Sequence, residues 1–326
     1  MTTIDIASRF QIPQPVSVEP FGGGLLHATH IVRTNDGAFV LQRLHPVTSD
    51  AAIQDARVVG EFLASRGFQV PVPRLSKDGA VLARDGGDRW RLYPMIVGEA
   101  FDVVESPEMA REAGRIVGEM HRHLHELDYE PRGSIPHFHD TAFVVGELRS
   151  VVDQLPRSVG RIGRRIVDEL PALIVDECSA RESKGVIHAD LKISNLLFAD
   201  GRAVAVIDMD TLMAHFRVID LGDAFRSWCA TSTEDDPGLD FNSDLFTAAV
   251  DGYARGFSGA VDSQLFLRAT QQIGWELAAR FLIDVVRDDY FGFDARRYPS
   301  RRDHNMVRAI AQFRLGEAVA RFRRMV

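Results

Sequence analysis

The chain has 326 residues, of which 45% are hydrophobic and 26% are charged, and its formal net charge is −8. This length allows one large domain or two lobes with a substantial core. The acidic balance argues against a nucleic-acid partner, because such proteins attract phosphate with positive charge. Two cysteines, Cys178 and Cys229, supply neither a disulfide framework nor a zinc cluster, so we expect a reducing, cytoplasmic location. No segment approaches about 18 uninterrupted apolar residues, so no membrane span is expected.

The first part of the chain is predicted to be rich in β-strands, because short apolar runs there alternate with turn residues. The predicted strands are 16–21, 28–34, 39–44, 80–83 and 89–98. A helix is predicted over 51–66, before the prolines of 70–73. Gly22, Gly23 and Gly24 separate the first two strands. Their backbone N–H groups can closely approach a bound phosphate.

Helical patterns dominate beyond Gly98, so we predict a boundary between residues 1–97 and 98–326. A first helix begins at Ser106-Pro107, which is a capping serine followed by a proline at the first helical position. Further helices are predicted over about 141–155, 160–178, 243–257, 263–287 and 303–324. Between them, the apolar runs 196–198 and 203–207 form a predicted hairpin around Asp200-Gly201.

The most specific motif of the chain precedes this hairpin. Residues 188–195 read His-Ala-Asp-Leu-Lys-Ile-Ser-Asn, and Asp208 follows thirteen residues after Asn195. The spacing H-x-D-x-x-x-x-N matches the catalytic loop of ATP-dependent kinases. Asp190 is therefore predicted to accept the proton of a substrate hydroxyl. Asn195 and Asp208 flank the hairpin and are predicted to bind Mg²⁺, which prefers oxygen ligands.

Other residues near this motif have predicted roles in the same site. His188 is expected to hold the loop by hydrogen bonds, and Lys192 to reach the γ-phosphate and offset developing charge. Asp210 is predicted to contact the substrate, with a metal ligand or a structural cap as alternatives. Asp220 is predicted to brace the catalytic loop.

The nucleotide side of the site leaves two alternatives open. Kinases place a lysine on the third strand to hold the phosphates, and this chain offers Gln42 and then Arg43. We predict Arg43 as the phosphate ligand, but alternation along the strand allows only one of the two to face the nucleotide. The acidic partner on the following helix is Asp55 or Glu61.

The end of the fifth predicted strand completes the nucleotide site. In a kinase, the backbone at this point meets the adenine edge. Met95 and Val97 are therefore predicted to contact the nucleotide.

The motif, Asp208 and the later segment 218–223 together resemble the aminoglycoside phosphotransferase/choline kinase superfamily over roughly residues 15–322. The resemblance implies an α+β, protein-kinase-like two-lobed fold, with a small strand-rich N-lobe and a large, mainly helical C-lobe. It also implies an ATP- and Mg²⁺-dependent enzyme that phosphorylates a hydroxyl of a small molecule.

A narrower resemblance is to the N-acetylhexosamine 1-kinase branch. The similar segments are 39–44, 207–211, 220–226, 288–291 and 304–312. This implies a sugar or amino sugar as acceptor, with transfer to the anomeric hydroxyl. The implied substrate residues are Asp210, Asn305, Arg308 and Gln312. The run from Leu25 to Ala28 departs from the branch pattern, so the acceptor need not be N-acetylglucosamine itself.

Alternatives remain within and beyond this enzyme class. Homoserine, an aminoglycoside or choline is an alternative acceptor. A pseudokinase that binds nucleotide without turnover is favoured only by the missing third-strand lysine, and the intact Asp190, Asn195 and Asp208 argue against it. The sequence leaves the oligomeric state open.

Overall fold

A computed structural model describes residues 2–22 and 27–326, so the predicted phosphate contacts at Gly23 and Gly24, and the run Leu25-Leu26, lie outside the described residues. The first part of the chain folds into a five-stranded antiparallel sheet with the order β1-β2-β3-β5-β4. Its strands are β1 (Pro15–Phe21), β2 (Ala28–Thr34), β3 (Gly37–Arg43), β4 (Ala83–Asp85) and β5 (Asp88–Pro94).

Two helices accompany this sheet. Helix α1 (Thr3–Ala7) covers one face, where Leu41 and Leu92 are fully buried in a cluster with Ile6 and Phe10. Helix α2 (Asp50–Ser65) connects β3 to β4, and the Ser49 hydroxyl caps its start by accepting the Ala52 N–H at 3.1 Å. Because side chains alternate along a strand, the residues flanking Leu41 and Leu92 lie on the opposite face.

The remaining chain is mainly helical. Its helices are α3 (Pro107–Leu124), α4 (Thr141–Val151), α5 (Arg157–Glu169), α6 (Glu177–Ala180), α7 (Arg217–Trp228), α8 (Ser243–Phe257), α9 (Ser263–Arg287) and α10 (Arg301–Arg323). Two short antiparallel ribbons lie among them, β6 (Gly185–Ile187) with β9 (Met213–His215) and β7 (Leu196–Ala199) with β8 (Arg202–Val206). This division into a strand-rich part and a larger helical part confirms the predicted fold class. Across the described residues, no helix is both long and apolar enough to cross a bilayer.

The structure differs from the sequence predictions in several places. The helix predicted to reach 178 ends at Glu169, because Pro171 has no N–H to continue it and a 3-10 turn follows. Strand β4 begins at Ala83 rather than 80, since Ala80 closes a turn in which its carbonyl accepts the Ser76 N–H at 2.8 Å. Helix α7, which carries Asp220, was not predicted.

The helical part is organised around a close crossing of α3 and α8. Each helix contributes a glycine pair four residues apart, Gly114 with Gly118 and Gly252 with Gly256. A methyl group at Gly252 would overlap the carbonyl oxygen of Arg111. The crossing therefore requires glycine, and it brings backbone against backbone.

We expect Gly252→Ala to lower the free energy of unfolding by about 2 kcal/mol, because overpacking of this kind costs about 1–3 kcal/mol and outweighs alanine's better helix propensity. Urea unfolding followed by circular dichroism measures the change. Gly146→Ala, at an exposed position of α4, is the matched control. No neighbouring atom lies within 4 Å of its added methyl group, so a gain of about 0.5–1 kcal/mol is expected. Equal effects at both positions would contradict the close crossing.

Candidate active site

The Asp220 carboxylate, at the start of α7, holds the loop that carries the predicted motif. Its oxygens accept the backbone N–H of His188 at 2.8 Å and of Ala189 at 2.7 Å, and His121 Nε2 lies 3.1 Å away. Burial acts to raise the pKa of this carboxyl, but hydrogen bonds from His121 and the His188 amide lower the pKa below its ordinary value. The predicted brace is confirmed.

His188 joins the loop to the end of β8. Its Nε2–H donates to the Ile207 carbonyl at 2.9 Å, and its Nδ1 accepts the Asp190 N–H at 3.3 Å. Both contacts are satisfied by the neutral imidazole with its proton on Nε2. The side chain is fully buried, which agrees with the predicted loop-holding role.

A second buried histidine, His139, contacts the backbone of the loop. His139 Nε2 lies 2.9 Å from the Ala189 carbonyl, and its Nδ1 lies 3.3 Å from Glu276 Oε1. Both partners accept hydrogen bonds, so the ring donates from both nitrogens only as the imidazolium. Burial acts to lower the pKa of His139, but the Glu276 carboxylate more than compensates and raises it.

Asp190 lies in the loop as an ionised carboxylate. Lys192 Nζ donates to its Oδ2 at 2.8 Å, and Asn195 Nδ2 donates to the same oxygen at 3.0 Å. Burial acts to raise the pKa of Asp190, but the charge of Lys192 outweighs it and lowers the pKa. Among the described residues, no donor bonds to Asp190 Oδ1, so this oxygen is available to a substrate hydroxyl.

Asn195 and Asp208 present oxygen atoms on adjoining segments. The Ile207 N–H donates to the Asn195 carbonyl at 2.9 Å, which ties the two ends of the hairpin together. Because Asn195 Nδ2 points to Asp190, its Oδ1 remains for a cation. The Asp208 side chain is exposed to solvent. Desolvation by the surrounding protein nevertheless raises the pKa of its carboxyl, and the negative charge of Asp210 raises it further.

These donors fit a magnesium ion that also has ligands from phosphate. Mg²⁺ is usually bound by one or two protein oxygens plus substrate phosphates and water. In the described chain, no three His, Cys, Asp or Glu side chains converge into a complete metal site. A cation at Asn195 and Asp208 would therefore depend on a phosphorylated ligand for further oxygens.

Asp210 contacts the strand-rich part of the molecule. Its carboxylate pairs with Arg91 of β5, and His27 Nε2 donates to its Oδ2 at 3.0 Å. Burial acts to raise the pKa of Asp210, but the Arg91 charge lowers it well below the usual range. Arg91 Nε in turn donates to Gln42 Oε1 at 2.9 Å.

The position of Gln42 decides which third-strand residue faces the loop. Gln42 lies with Arg91 on the face toward Asp210, whereas Arg43 lies on the opposite face. Arg43 Nη1 is 3.5 Å from Asp88 Oδ2, and both side chains are 51% exposed. The predicted phosphate contact Arg43 is therefore not brought to the catalytic loop, because neighbouring residues of a strand point in opposite directions.

In the described part of the chain, neither predicted acidic partner on α2 pairs with Arg91 or Arg43. Asp55 is buried, and its carboxylate accepts the Tyr129 hydroxyl at 2.6 Å and the Gly133 N–H at 2.6 Å. Glu61 forms a surface pair with Arg57. Asp210 takes the place expected for an α2 acid.

The connection after β5 lies flat on β7. The Glu99 N–H donates to the Phe198 carbonyl at 2.8 Å, and the Phe198 N–H returns the bond at 2.9 Å. A methyl group on Gly98 would lie 2.9 Å from Leu197 Cβ, so this approach requires glycine. The predicted nucleotide contacts Met95 and Val97 are both exposed here, as is Gly22 after β1.

Two of the predicted substrate residues of α10, Asn305 and Gln312, are buried, and the side chain of Arg308 is only 15% exposed. Asn305 Nδ2 donates to Asp284 Oδ2 at 2.8 Å, and Asp284 also accepts three backbone N–H groups of residues 289–291. Arg308 Nε donates to Asp235 Oδ1 at 2.8 Å, and its Nη1 donates to the Gly292 carbonyl at 2.9 Å. These side chains therefore anchor two loops to α10 and do not form a solvated stripe.

Several buried acceptor oxygens on α7 and α10 have no hydrogen-bond partner in the described residues. They include Asn305 Oδ1, Gln312 Oε1 and Asp223 Oδ2. Asp223 Oδ1 pairs with Arg226 at 2.7 Å. Ser227, which directly follows Arg226, accepts the Ile193 N–H at 3.1 Å, so this pair lies close to the predicted catalytic loop.

Comparison with known proteins identifies the family. Residues 17–258 match the model of the phosphotransferase enzyme family, abbreviated APH. The chain belongs to this family. It is a phosphotransferase that acts on a small-molecule hydroxyl, and its catalytic loop lies within the matched region.

The phosphotransferase has distant relatives of several kinds. A homoserine kinase from Xanthobacter autotrophicus is 24% identical over 294 residues, which is 86% of this chain and 83% of that protein. An aminoglycoside phosphotransferase structure from Alicyclobacillus acidocaldarius aligns with a TM-score of 0.68 at 14% identity, covering 100% and 97% of the chains. A choline kinase structure from Cryptosporidium parvum gives 0.63 at 14%, covering 98% and 95%. The fold is therefore that of the kinase-like phosphotransferases.

Sequence reasoning missed Arg91 and His139. Arg91 is recognisable only from the pairing of β5 with β3, which places it opposite Gln42. His139 is separated from Ala189 by 50 positions, with no spacing pattern to connect them. Both gain their positions from tertiary contacts.

We expect the His139 ion pair to stabilise the phosphotransferase in a pH-dependent way. Because its pKa is raised in the folded state, its contribution is complete below about pH 6.5 and is lost as the pH rises through the folded pKa. His139→Gln should lower the free energy of unfolding by about 1–3 kcal/mol at pH 6, and by less at pH 9. Urea unfolding of both proteins across this range measures the difference. A pH-independent difference would contradict the imidazolium assignment.

Proposed function

We propose that this phosphotransferase transfers the γ-phosphoryl group of ATP to a hydroxyl of a sugar or amino sugar, with the anomeric hydroxyl as the site of transfer. The observation that carries the transfer step is the Asp190 carboxylate. Lys192 and Asn195 share one of its oxygens, and the other is open. This arrangement orients an acceptor hydroxyl beside a cation that can meet a phosphate.

The proposed step needs few protein groups. The acceptor oxygen forms a bond to the γ-phosphorus as the bond from phosphorus to the ADP oxygen breaks. The hydroxyl proton passes to Asp190 Oδ1 late in the step, because a carboxylate of lowered pKa is a weak base. Lys192 then offsets charge on the transferred group. Magnesium held by Asn195 Oδ1 and Asp208 would neutralise the phosphate oxygens.

The nucleotide is proposed to lie between the sheet and β7. Gly22 is proposed to approach the phosphates, and the backbone at Met95 and Val97 to meet the adenine edge. Gly98 would then mark the boundary between residues 1–97 and 98–326. The close contact of Gly98 with Leu197 supports a fixed connection at this point.

The sugar part of the proposal is supported by unpartnered acceptor atoms. Asp223 Oδ2 and Gln312 Oε1 are buried without a donor among the described residues. A sugar offers several hydroxyl donors to such atoms. Arg308 and Asn305 resemble the hexosamine 1-kinase pattern and are proposed, with Asp210, as further substrate residues. Homoserine is a second candidate, because a homoserine kinase is 24% identical over 86% of the chain.

An acceptor screen tests the proposal. ATP consumption is measured with Mg²⁺ and a panel of sugars, amino sugars, homoserine, choline and aminoglycosides. Phosphorus NMR of the product then distinguishes an anomeric phosphate from an ordinary ester by its coupling to the anomeric proton. Turnover of homoserine alone would replace the acceptor proposal, and failure to bind Mg-ATP at millimolar concentration would remove the kinase proposal entirely.

We expect Asp190→Asn to lower kcat about 10²–10⁴-fold, the usual contribution of a positioned general base. ATP affinity should change little, because Asp190 faces the acceptor. Steady-state kinetics and titration calorimetry measure the two quantities separately. A variant that keeps more than about half of the wild-type kcat would show that Asp190 is not the base.

We expect Arg308→Ala to raise the acceptor KM about tenfold or more, with the ATP KM little changed. A hydrogen bond to a charged group contributes roughly 1.5–3 kcal/mol. Arg314→Ala on the same helix is the control, because that exposed side chain donates to the Pro237 carbonyl at 2.6 Å and should leave the acceptor KM unchanged. An unmoved acceptor KM in Arg308→Ala would restrict Arg308 to anchoring Asp235.

A further inference from the structure

We propose that Arg91, on the fifth strand, binds the α- and β-phosphates of the nucleotide in place of the missing third-strand lysine. The proposal deepens the proposed function and rests on it. The ligand class is the polyphosphate of a nucleoside di- or triphosphate.

The pairing of β3 with β5 places Arg91 beside the expected lysine position. Gln42 is directly opposite Arg91 in the antiparallel register, and both lie on the face toward Asp210. Opposite residues of such a pair have Cβ atoms about 4.5–5.5 Å apart. A guanidinium on β5 therefore reaches the space that a third-strand ammonium would occupy. Gln42 is neutral, so it leaves that space without positive charge of its own.

The geometry of the guanidinium suits a phosphate. Arg91 is only 3% exposed and is held by Gln42 Oε1 through Nε and by Asp210 through Nη1. Its planar fork carries five N–H donors, which match the oxygens of a phosphate better than a point charge does. The guanidinium carbon also lies 5.4 Å from the centroid of the Tyr93 ring, which is a cation–π contact.

The charges in the cleft also favour a phosphate beside Arg91. Arg91 lies close enough to Asp208 for the two charges to interact, and Asp208 is a proposed metal ligand. A nucleotide whose metal is bound at Asp208 would therefore bring its phosphates near Arg91. The other arginines at this end of the sheet are paired elsewhere, Arg43 with Asp88 and Arg89 with Asp50.

Nucleotide binding, measured by titration calorimetry with ATP, ADP and adenosine in Mg²⁺, tests the proposal without turnover. Arg91→Gln should weaken ATP and ADP binding about tenfold or more, because a charge-assisted contact is lost, and leave adenosine affinity unchanged. Arg84→Gln, which removes an exposed arginine of β4 paired with Asp50, is the matched control and should bind all three ligands as the wild type does. Equal weakening of ATP and adenosine, or no weakening, overturns the proposal.

A second pair of variants separates phosphate binding from support of Asp210. In Arg91→Gln/Asp210→Asn, both members of the ion pair become neutral, so neither is left as a buried charge without its partner. ATP affinity should stay low in this variant, and its recovery would show that Arg91 acts only through Asp210. Gln42→Lys/Arg91→Gln returns a cation to the third strand and should recover at least part of the ATP affinity.

The wild-type titration distinguishes failure of the Arg91 proposal from failure of the proposed function. If the wild type binds ATP and Arg91→Gln binds it equally well, this inference fails and the proposed function stands. If the wild type binds no nucleotide, both fail.

Discussion

The candidate active site depends on one carboxylate, that of Asp220, which has no proposed part in the transfer step. Asp220 accepts two consecutive backbone N–H groups of the catalytic loop, and His121 approaches it from α3. A buried, ionised carboxylate is costly unless such donors surround it, so the loop amides and Asp220 each require the other. His121 is itself fixed by the Tyr253 hydroxyl at 3.1 Å, which joins the glycine-mediated crossing of α3 and α8 to the loop. Helix packing thus determines where Asp190 lies.

The cleft balances three carboxylates against a small set of cations. Asp190 is paired with Lys192, and Asp210 with Arg91, whereas Asp208 has no such partner within the described residues. As a result, the pKa values of the three carboxyl groups shift in opposite directions from their ordinary value. The pKa values of Asp190 and Asp210 are lowered by their cations, and that of Asp208 is raised. The unpaired carboxylate is the one proposed to bind a divalent cation, which would supply the missing charge.

Features that depend on residues close together in the sequence could be predicted, whereas features that depend on contacts between distant segments could not. The catalytic loop and its hairpin are local, and the turn at Asp200 and Gly201 adopts the positive φ values that such a hairpin needs. The Asp220 brace was predicted from a family resemblance. The orientation of Gln42 and Arg43 required the register of β3, which only the assembled sheet fixes. The position of Arg91 required the pairing of β3 with β5, whose opposed residues Gln42 and Arg91 are 49 positions apart in the chain.

The acceptor side shows why spacing alone misreads polar residues. The spacing of Asn305, Arg308 and Gln312 places them on one stripe of a helix, which usually faces water. Here α10 packs on α9, so Asn305 and Gln312 are almost fully buried and Asn305 binds the carboxylate that organises residues 289–291. Loops held in this way from the helix side can change their outer residues without disturbing the proposed base or the proposed metal ligands. Acceptor choice can therefore vary among enzymes of this fold while the transfer chemistry proposed for Asp190 stays the same.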